Sequence, residues 1–223
     1  MSELNNIIVW AGTISILVSF IFALSICNPK DTRSYMQYFF VYPLIGILIS
    51  VNSILTSFFP LYKRTVNFPL QNFLLLVDLI FWVMFFSDFF RNKSDKTKLK
   101  ITFFITLGFA LFSYFYSPLD KPNLHTISLF NICKTLFCIY FYYDLFKKPP
   151  NQKIKSEPSF WIVTGLFFYS CLSMPFYALH DYLRVKFPLV ISASLFAMSN
   201  ILIIIMHFFF LKAYLCTARL LKG

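Results

Sequence analysis

The sequence predicts an all-helical, polytopic membrane protein, a bundle of seven transmembrane helices with its N-terminus outside and its C-terminus in the cytoplasm. Three observations predict this fold class. The 223 residues are 58% hydrophobic and only 13% charged, and their mean hydropathy is +0.69. The apolar residues fall into long runs, and the basic residues fall mainly into alternate connections. A soluble domain carries about 25% charged residues, so composition alone favours a membrane protein.

Each apolar run approaches the length of about 20 residues that a helix needs to cross a bilayer. Asn28-Pro29 ends the first run, which lacks the basic flank of a signal peptide. A Pro118–Pro122 segment ends the fourth run, and two lysines and two prolines from 147 to 150 end the fifth. The whole chain, 1–223, is therefore one transmembrane domain. The predicted helices are 7–27, 35–59, 70–90, 99–116, 125–146, 159–179 and 187–215.

The loop charges orient these helices. With the N-terminus outside, the inner segments hold 14 of the 20 lysines and arginines and the outer segments hold 5, which is a positive-inside pattern. The inner set is Lys30, Arg33, Arg91, Lys93, Lys96, Lys98, Lys100, Lys147, Lys148, Lys153, Lys155, Lys212, Arg219 and Lys222. The net charge of +11 therefore indicates contact with the anionic head groups of the lipid bilayer, and nucleic acid is not an expected partner.

Two ionisable residues lie near the middle of predicted spans, Asp78 in helix 3 and Lys134 in helix 5. Each costs about 2.5 to 3.5 kcal/mol at the centre of a membrane helix. Both helices run inward, and both residues lie about 12 to 14 Å below the outer surface at 1.5 Å per residue. Equal depth and opposite charge predict an ion pair. The alternative is a neutral, hydrogen-bonded Asp78 with Lys134 facing a watery crevice.

Further polar residues lie in the outer half of several predicted helices, and they allow two interpretations. One is a ligand pocket open to the outside. The other is hydrogen bonding between helices, a common role for Ser, Thr and Asn in membranes. Ser128, Asn131, Thr135 and Cys138 form one stripe on helix 5. The candidate ligand or ion-pair residues are Asp78, Lys134, Asn131, Asn52, Asn200 and Tyr169.

The sequence contains no catalytic pattern that we identify. His125, His180 and His207 lack the spacing of a zinc site, and the chain carries no nucleophile elbow, phosphate-binding loop or dinucleotide fingerprint. Lys212 lies too near the inner end of helix 7 for a retinal lysine. We therefore expect no enzyme, no metal and no cofactor.

One stretch, Glu157-Pro158-Ser159-Phe160-Trp161 followed by Gly165 and Tyr169, resembles a signature before helix 6 in an uncharacterised family of small seven-pass inner-membrane proteins common in Bacteroidota. The runs 73–86 and 199–202 resemble parts of that family's helices 3 and 7. Asp78 occupies the position that is acidic in the family's helix 3. His207 and Lys212 match no family position. The resemblance implies a bacterial inner-membrane module of the kind that is paired with a histidine kinase.

These observations favour a non-enzymatic sensor or signalling module, with an outer polar pocket and basic inner loops that contact a cytoplasmic or membrane partner. The alternative is a small ion- or proton-coupled transporter that uses Asp78. An intramembrane enzyme is a third, less favoured reading. The sequence names no ligand and no oligomeric state.

Overall fold

The computed structural model describes residues 2–26, 36, 39–58, 68–90, 93–116, 123–147, 154–186 and 189–222. In these ranges the chain forms seven α-helices and one short 3₁₀ helix, and they contain no strand. The helices are α1 (Ser2–Ile26), α2 (Val41–Phe58), α3 (Phe68–Phe89), α4 (Lys93–Tyr116), α5 (Leu124–Phe146), α6 (Pro158–Lys186) and α7 (Leu189–Lys222), and the 3₁₀ helix is Ile154–Ser156.

The all-helical class is confirmed for the described residues, and each predicted run contains one helix. Five boundaries differ from the prediction by five residues or more, and two of them are the starts of α1 and α4, at Ser2 and Lys93 instead of residues 7 and 99. Helices α6 and α7 continue to Lys186 and Lys222, beyond the predicted ends at 179 and 215, because a helix can extend past the apolar stretch that would lie in lipid. Helix α2 begins at Val41 instead of residue 35, after turn bonds from the Phe39 and Tyr42 amides.

Within the part of the chain that the structure describes, five helices are long and apolar enough to cross a membrane. The spans are Ile7–Ile26, Pro69–Phe89, Leu124–Phe146, Pro158–His180 and Ala197–Leu220. The apolar part of α2, Val41–Asn52, is shorter, and the first turns of α4 carry Lys93, Lys96, Lys98 and Lys100. Large apolar side chains such as Ile7, Phe104, Ile105 and Phe208 are exposed, as expected for surfaces that face lipid chains.

The helices alternate in direction, as their contacts show. In α3 and α5, Phe86 lies beside Phe137 and Phe89 beside Phe141, so these two helices are parallel. Between α5 and α6 the contacts run the opposite way, with Asn131 at Ser173 and Tyr142 at Thr164. Gly12 and Ser19 of α1 lie at Asn200 and His207 of α7, so these two helices are parallel. Lys98 and Thr106 of α4 contact Tyr140 and Cys133 of α5 in antiparallel order. Helix α2 is antiparallel to α1 and α7, with Tyr42 at Met206 and Gly46 at Ile16. Helices α1, α3, α5 and α7 therefore run in one direction, and α2, α4 and α6 run in the other.

An aromatic core fills the end of the bundle at which α3, α5 and α7 terminate. Its largest fully buried side chains include Trp82, Phe39, Phe85, Phe86, Phe210 and Tyr214. The Phe39 ring lies 5.2 Å from Phe210 and 5.7 Å from Phe85, centroid to centroid. Phe39 immediately precedes α2, and rings from α3 and α7 pack against it. The aromatic core therefore holds α2, α3 and α7 together.

The segment that begins α6 has structural roles. Pro158 is the first residue of α6, a position that needs no backbone donor. The Trp161 indole donates to the Lys155 carbonyl at 2.9 Å and stacks on Phe209. It therefore joins the 3₁₀ helix to α6 and α7. Gly165 allows α6 and α7 to approach closely.

Substitution of Gly165 by Ala should lower the stability of the protein by about 1 to 3 kcal/mol, because a methyl group would overpack this contact. A Cβ at Gly165 would lie 2.8 Å from Phe209 Cβ and 3.0 Å from the Met206 carbonyl oxygen. Thermal unfolding in detergent measures the effect. Gly108→Ala is the matched control, since a Cβ there has no atom within 4 Å among the described residues and should leave stability equal or higher. Equal unfolding midpoints for the two variants would contradict this packing.

Candidate functional site

The structure brings Asp78 and Lys134 together. The Lys134 ammonium donates to Asp78 Oδ2 and forms a salt bridge between α3 and α5. Asp78 is 7% exposed and Lys134 is 4% exposed. Asp78 lies ten residues after Phe68, and Lys134 lies ten residues after Leu124. At 1.5 Å per residue both lie about 15 Å along their helices, near the middle.

A second donor completes the contacts of the carboxylate. The Trp82 indole Nε1 donates to Asp78 Oδ1 at 3.0 Å, from one turn further along α3. Each oxygen of Asp78 therefore accepts a hydrogen bond from a buried donor. Two donors, one of them a lysine ammonium group, thus satisfy both oxygens of Asp78 where lipid could supply no hydrogen bond. This arrangement differs from a neutral Asp78 with Lys134 in a watery crevice.

Aromatic and polar side chains from three more helices surround the ion pair. The Tyr42 ring of α2 lies 4.9 Å from the Trp82 ring, and its hydroxyl lies 3.8 Å from Met206 Sδ. Tyr169 of α6 lies close enough to Asp78 and Tyr42 to interact electrostatically with both. Helices α2, α3, α5, α6 and α7 thus converge on one buried site.

His207 of α7 belongs to this site, although the sequence analysis did not select it. Its ring lies 6.5 Å from the Tyr42 ring and 5.3 Å from the Phe210 ring. The side chain is 2% exposed, and its Nδ1 makes no hydrogen bond to any residue that the structure describes. The sequence did contain a signal, because His207 lies in the middle of the span Ala197–Leu220. A search for metal-ligand spacing alone overlooked it.

The polar stripe on α5 faces α6 and forms a ladder of hydrogen bonds. Asn131 Nδ2 donates to Ser173 Oγ at 3.0 Å, and Thr135 Oγ1 donates to Ser170 Oγ at 3.2 Å. Ser128 Oγ donates to the Met174 carbonyl at 3.4 Å. The structure therefore places Asn131 in an interhelical contact, the second of the two interpretations that its spacing allowed.

Two other candidates lie away from the ion pair. Asn200 packs against α1, and its Oδ1 lies 3.3 Å from the point that a Cβ on Gly12 would occupy. It precedes His207 by two helical turns, about 10 Å along α7. Asn52 is buried on α2, ten residues or about 15 Å beyond Tyr42. Of the six candidates, Asp78, Lys134 and Tyr169 share the site.

Charge is distributed unevenly between the two ends of the bundle. The end that holds the aromatic core carries seven basic residues whose side chains the structure describes. They are Lys96, Lys98, Lys100, Lys147, Lys155, Lys212 and Arg219. In the same set of described side chains, the opposite end carries Lys186. Among the described side chains, the buried ion pair thus lies between an end with seven cations and an end with one.

These features define a multi-pass helical membrane protein with a salt bridge buried near the middle of its helices. Comparison of the chain with protein-family models, with curated proteins and with solved structures finds no match. The site's own geometry is therefore the basis for a functional proposal.

Proposed function

We propose that this chain is a non-enzymatic sensor or signalling module of the bacterial inner membrane, whose switch is the Asp78–Lys134 ion pair. The observation that carries the proposal is the position of the pair, buried where five helices converge. Ionisable residues are rare inside membrane helices and mark functional sites by default. The resemblance of residues 157–169 to modules paired with a histidine kinase supports the same role.

All seven helices span the membrane in this proposal, with the N-terminus outside and the C-terminus in the cytoplasm. The alternating helix directions support seven spans, because every odd-numbered helix then ends on the same side of the membrane. Seven of the described basic side chains lie on that side, which the positive-inside rule assigns to the cytoplasm. The aromatic core then occupies the inner half of the bundle.

Breaking the ion pair removes the salt bridge that holds α3 against α5. A buried charge that loses its partner costs about 3 to 5 kcal/mol. A shift of a two-state equilibrium from 1:99 to 99:1 needs about 5.5 kcal/mol, so loss of the pair supplies a large part of the energy of such a switch. A small or lipidic ligand that competes for Asp78 or Lys134 from outside would release α3 from α5. The parallel contacts Phe86–Phe137 and Phe89–Phe141 carry that change toward the basic end.

A small proton- or ion-coupled transporter is the second candidate. The observation that favours it is a series of ionisable side chains across the bundle, from Lys134 and Asp78 through Tyr42 to His207. Such series form proton relays in transporters. In this function Asp78 alternates between its charged and neutral forms during each transport cycle.

Crosslinking in native membranes separates the two functions. A photo-crosslinking residue at exposed Lys155, on the basic end, should capture a specific membrane or cytoplasmic partner such as a histidine kinase. The same residue at exposed Lys186, on the opposite end, is the matched control and should not capture it. Purified protein in vesicles should then show no proton flux under an imposed pH gradient. Flux that is lost in Asp78→Asn, with no capture at Lys155, would instead establish the transporter.

A further inference from the structure

A groove opens on the lipid-facing side of the bundle, where the C-terminal half of α5 meets the start of α4 and the end of α3. Its volume is about 120 Å³, and its lining is mostly apolar, with Phe90, Leu99, Leu136 and Phe137. Leu136 is 53% exposed, so the groove is accessible from the side of the protein that faces lipid. Lys98, Thr102 and Tyr140 complete the lining. The groove thus combines an apolar floor with a cation.

Two lysines and two tyrosines form a patch beside this groove, at the basic end. Lys98 Nζ lies 5.7 Å from the centroid of the Tyr140 ring, and Lys147 Nζ lies 4.1 Å from that of Tyr143. The two rings are 6.3 Å apart. Asp144 interacts electrostatically with Lys147, and a hydrogen bond to Tyr143 raises the pKa of Lys147. The patch therefore carries two cations and one carboxylate.

We propose that this groove and patch form a binding site for an anionic phospholipid, with an acyl chain in the groove and the phosphate at Lys98 and Lys147. The apolar lining favours a hydrocarbon chain, which a soluble phosphate ester lacks. Lysine side chains near helix ends extend toward head groups, and basic pockets between membrane helices bind anionic lipid phosphates. Tyr140 and Tyr143 add hydroxyl donors at the same level. The site requires only that the bundle lies in a membrane, so it is independent of the proposed sensing role.

Mass spectrometry of the intact, detergent-solubilised protein tests this site by counting retained lipids. The two probes are phosphatidylglycerol and phosphatidylcholine with identical acyl chains. The wild-type protein should retain phosphatidylglycerol in preference to phosphatidylcholine. The double variant Lys98→Gln/Lys147→Gln should lower that retention about thirtyfold, since each cation contributes about 1 kcal/mol to anionic-lipid binding. Lys155→Gln/Lys212→Gln removes the same charge from the same end of the bundle, and should retain phosphatidylglycerol as the wild type does.

A third variant examines the apolar part of the site. Leu136→Trp, at an exposed position, should fill the groove and lower the retention of both lipids without changing the unfolding temperature. Glycerol 3-phosphate, which has no acyl chain, should not displace bound phosphatidylglycerol. Equal retention of the two lipids by the wild type, equal losses in the two double variants, or displacement by glycerol 3-phosphate would each overturn the proposal.

Discussion

The single variants Asp78→Asn and Lys134→Met should each destabilise the protein by about 3 to 5 kcal/mol, while the double variant recovers most of the loss. Each single change leaves one buried charge without its partner, and this costs far more than the net value of the intact pair. In Lys134→Met the Trp82 indole still donates to Asp78, but a single neutral donor does not replace an ammonium group. The double variant removes both charges, so neither desolvation cost remains.

Expression level in the membrane and the midpoint of thermal unfolding in detergent measure these losses. For a chain of this length the single variants should unfold about 10 °C earlier. Lys96→Met removes an exposed lysine at the basic end and serves as the control, with a change within about 0.5 kcal/mol. If the double variant is no more stable than the two single variants, the two charges do not stabilise each other. The proposed ion pair between α3 and α5 would then be wrong.

Substitution of Trp82 by Ala should have an effect of similar size, about 3 to 5 kcal/mol, because it opens a cavity in the aromatic core. Trp82 is fully buried, and its ring lies 5.3 Å from those of Phe81 and Phe85 and 4.9 Å from that of Tyr42. Trp82→Phe keeps most of the packing but removes the donor to Asp78 Oδ1. It should cost about 1 to 3 kcal/mol, the penalty for an unsatisfied buried acceptor.

The same unfolding measurement compares these variants with Trp10→Ala. Trp10 is 56% exposed on α1, so its loss should change stability little. The expected order of destabilisation is Trp82→Ala, then Trp82→Phe, then Trp10→Ala. An unfolding temperature for Trp82→Phe equal to that of the wild type would show that the indole donor does not stabilise the carboxylate.

The depth of Asp78 and Lys134 could be predicted from sequence because a helix advances by a constant 1.5 Å per residue. Counting residues from the start of each apolar run was therefore enough to place both at one level. The spacing of Ser128, Asn131 and Thr135 predicted a single face, but it could not say whether that face bonds to a neighbour or lines a pocket. The contacts with Ser173 and Ser170 show that it bonds to α6.

His207 and Tyr42 show what counting along the chain leaves out. Tyr42 packs on Trp82 beside the ion pair and His207 stacks on Tyr42, yet no spacing within α2 or α7 indicates that these residues meet. Helix association in lipid depends on the shape and polarity of facing side chains, because lipid chains are as apolar as the helices themselves. Apolarity therefore predicts that a segment is a membrane helix and leaves its neighbours undetermined.

The sequence by itself determined the all-helical class, the positions of the apolar runs, the uneven distribution of basic residues and the common depth of Asp78 and Lys134. These are local or one-dimensional properties, set by composition and by the constant rise of a helix. Only the tertiary structure decided that α3 lies beside α5, that the α5 stripe faces α6, and that Lys98 borders an apolar groove. Those facts depend on how each helix is rotated and which helix it touches, and many side chains packed together determine both.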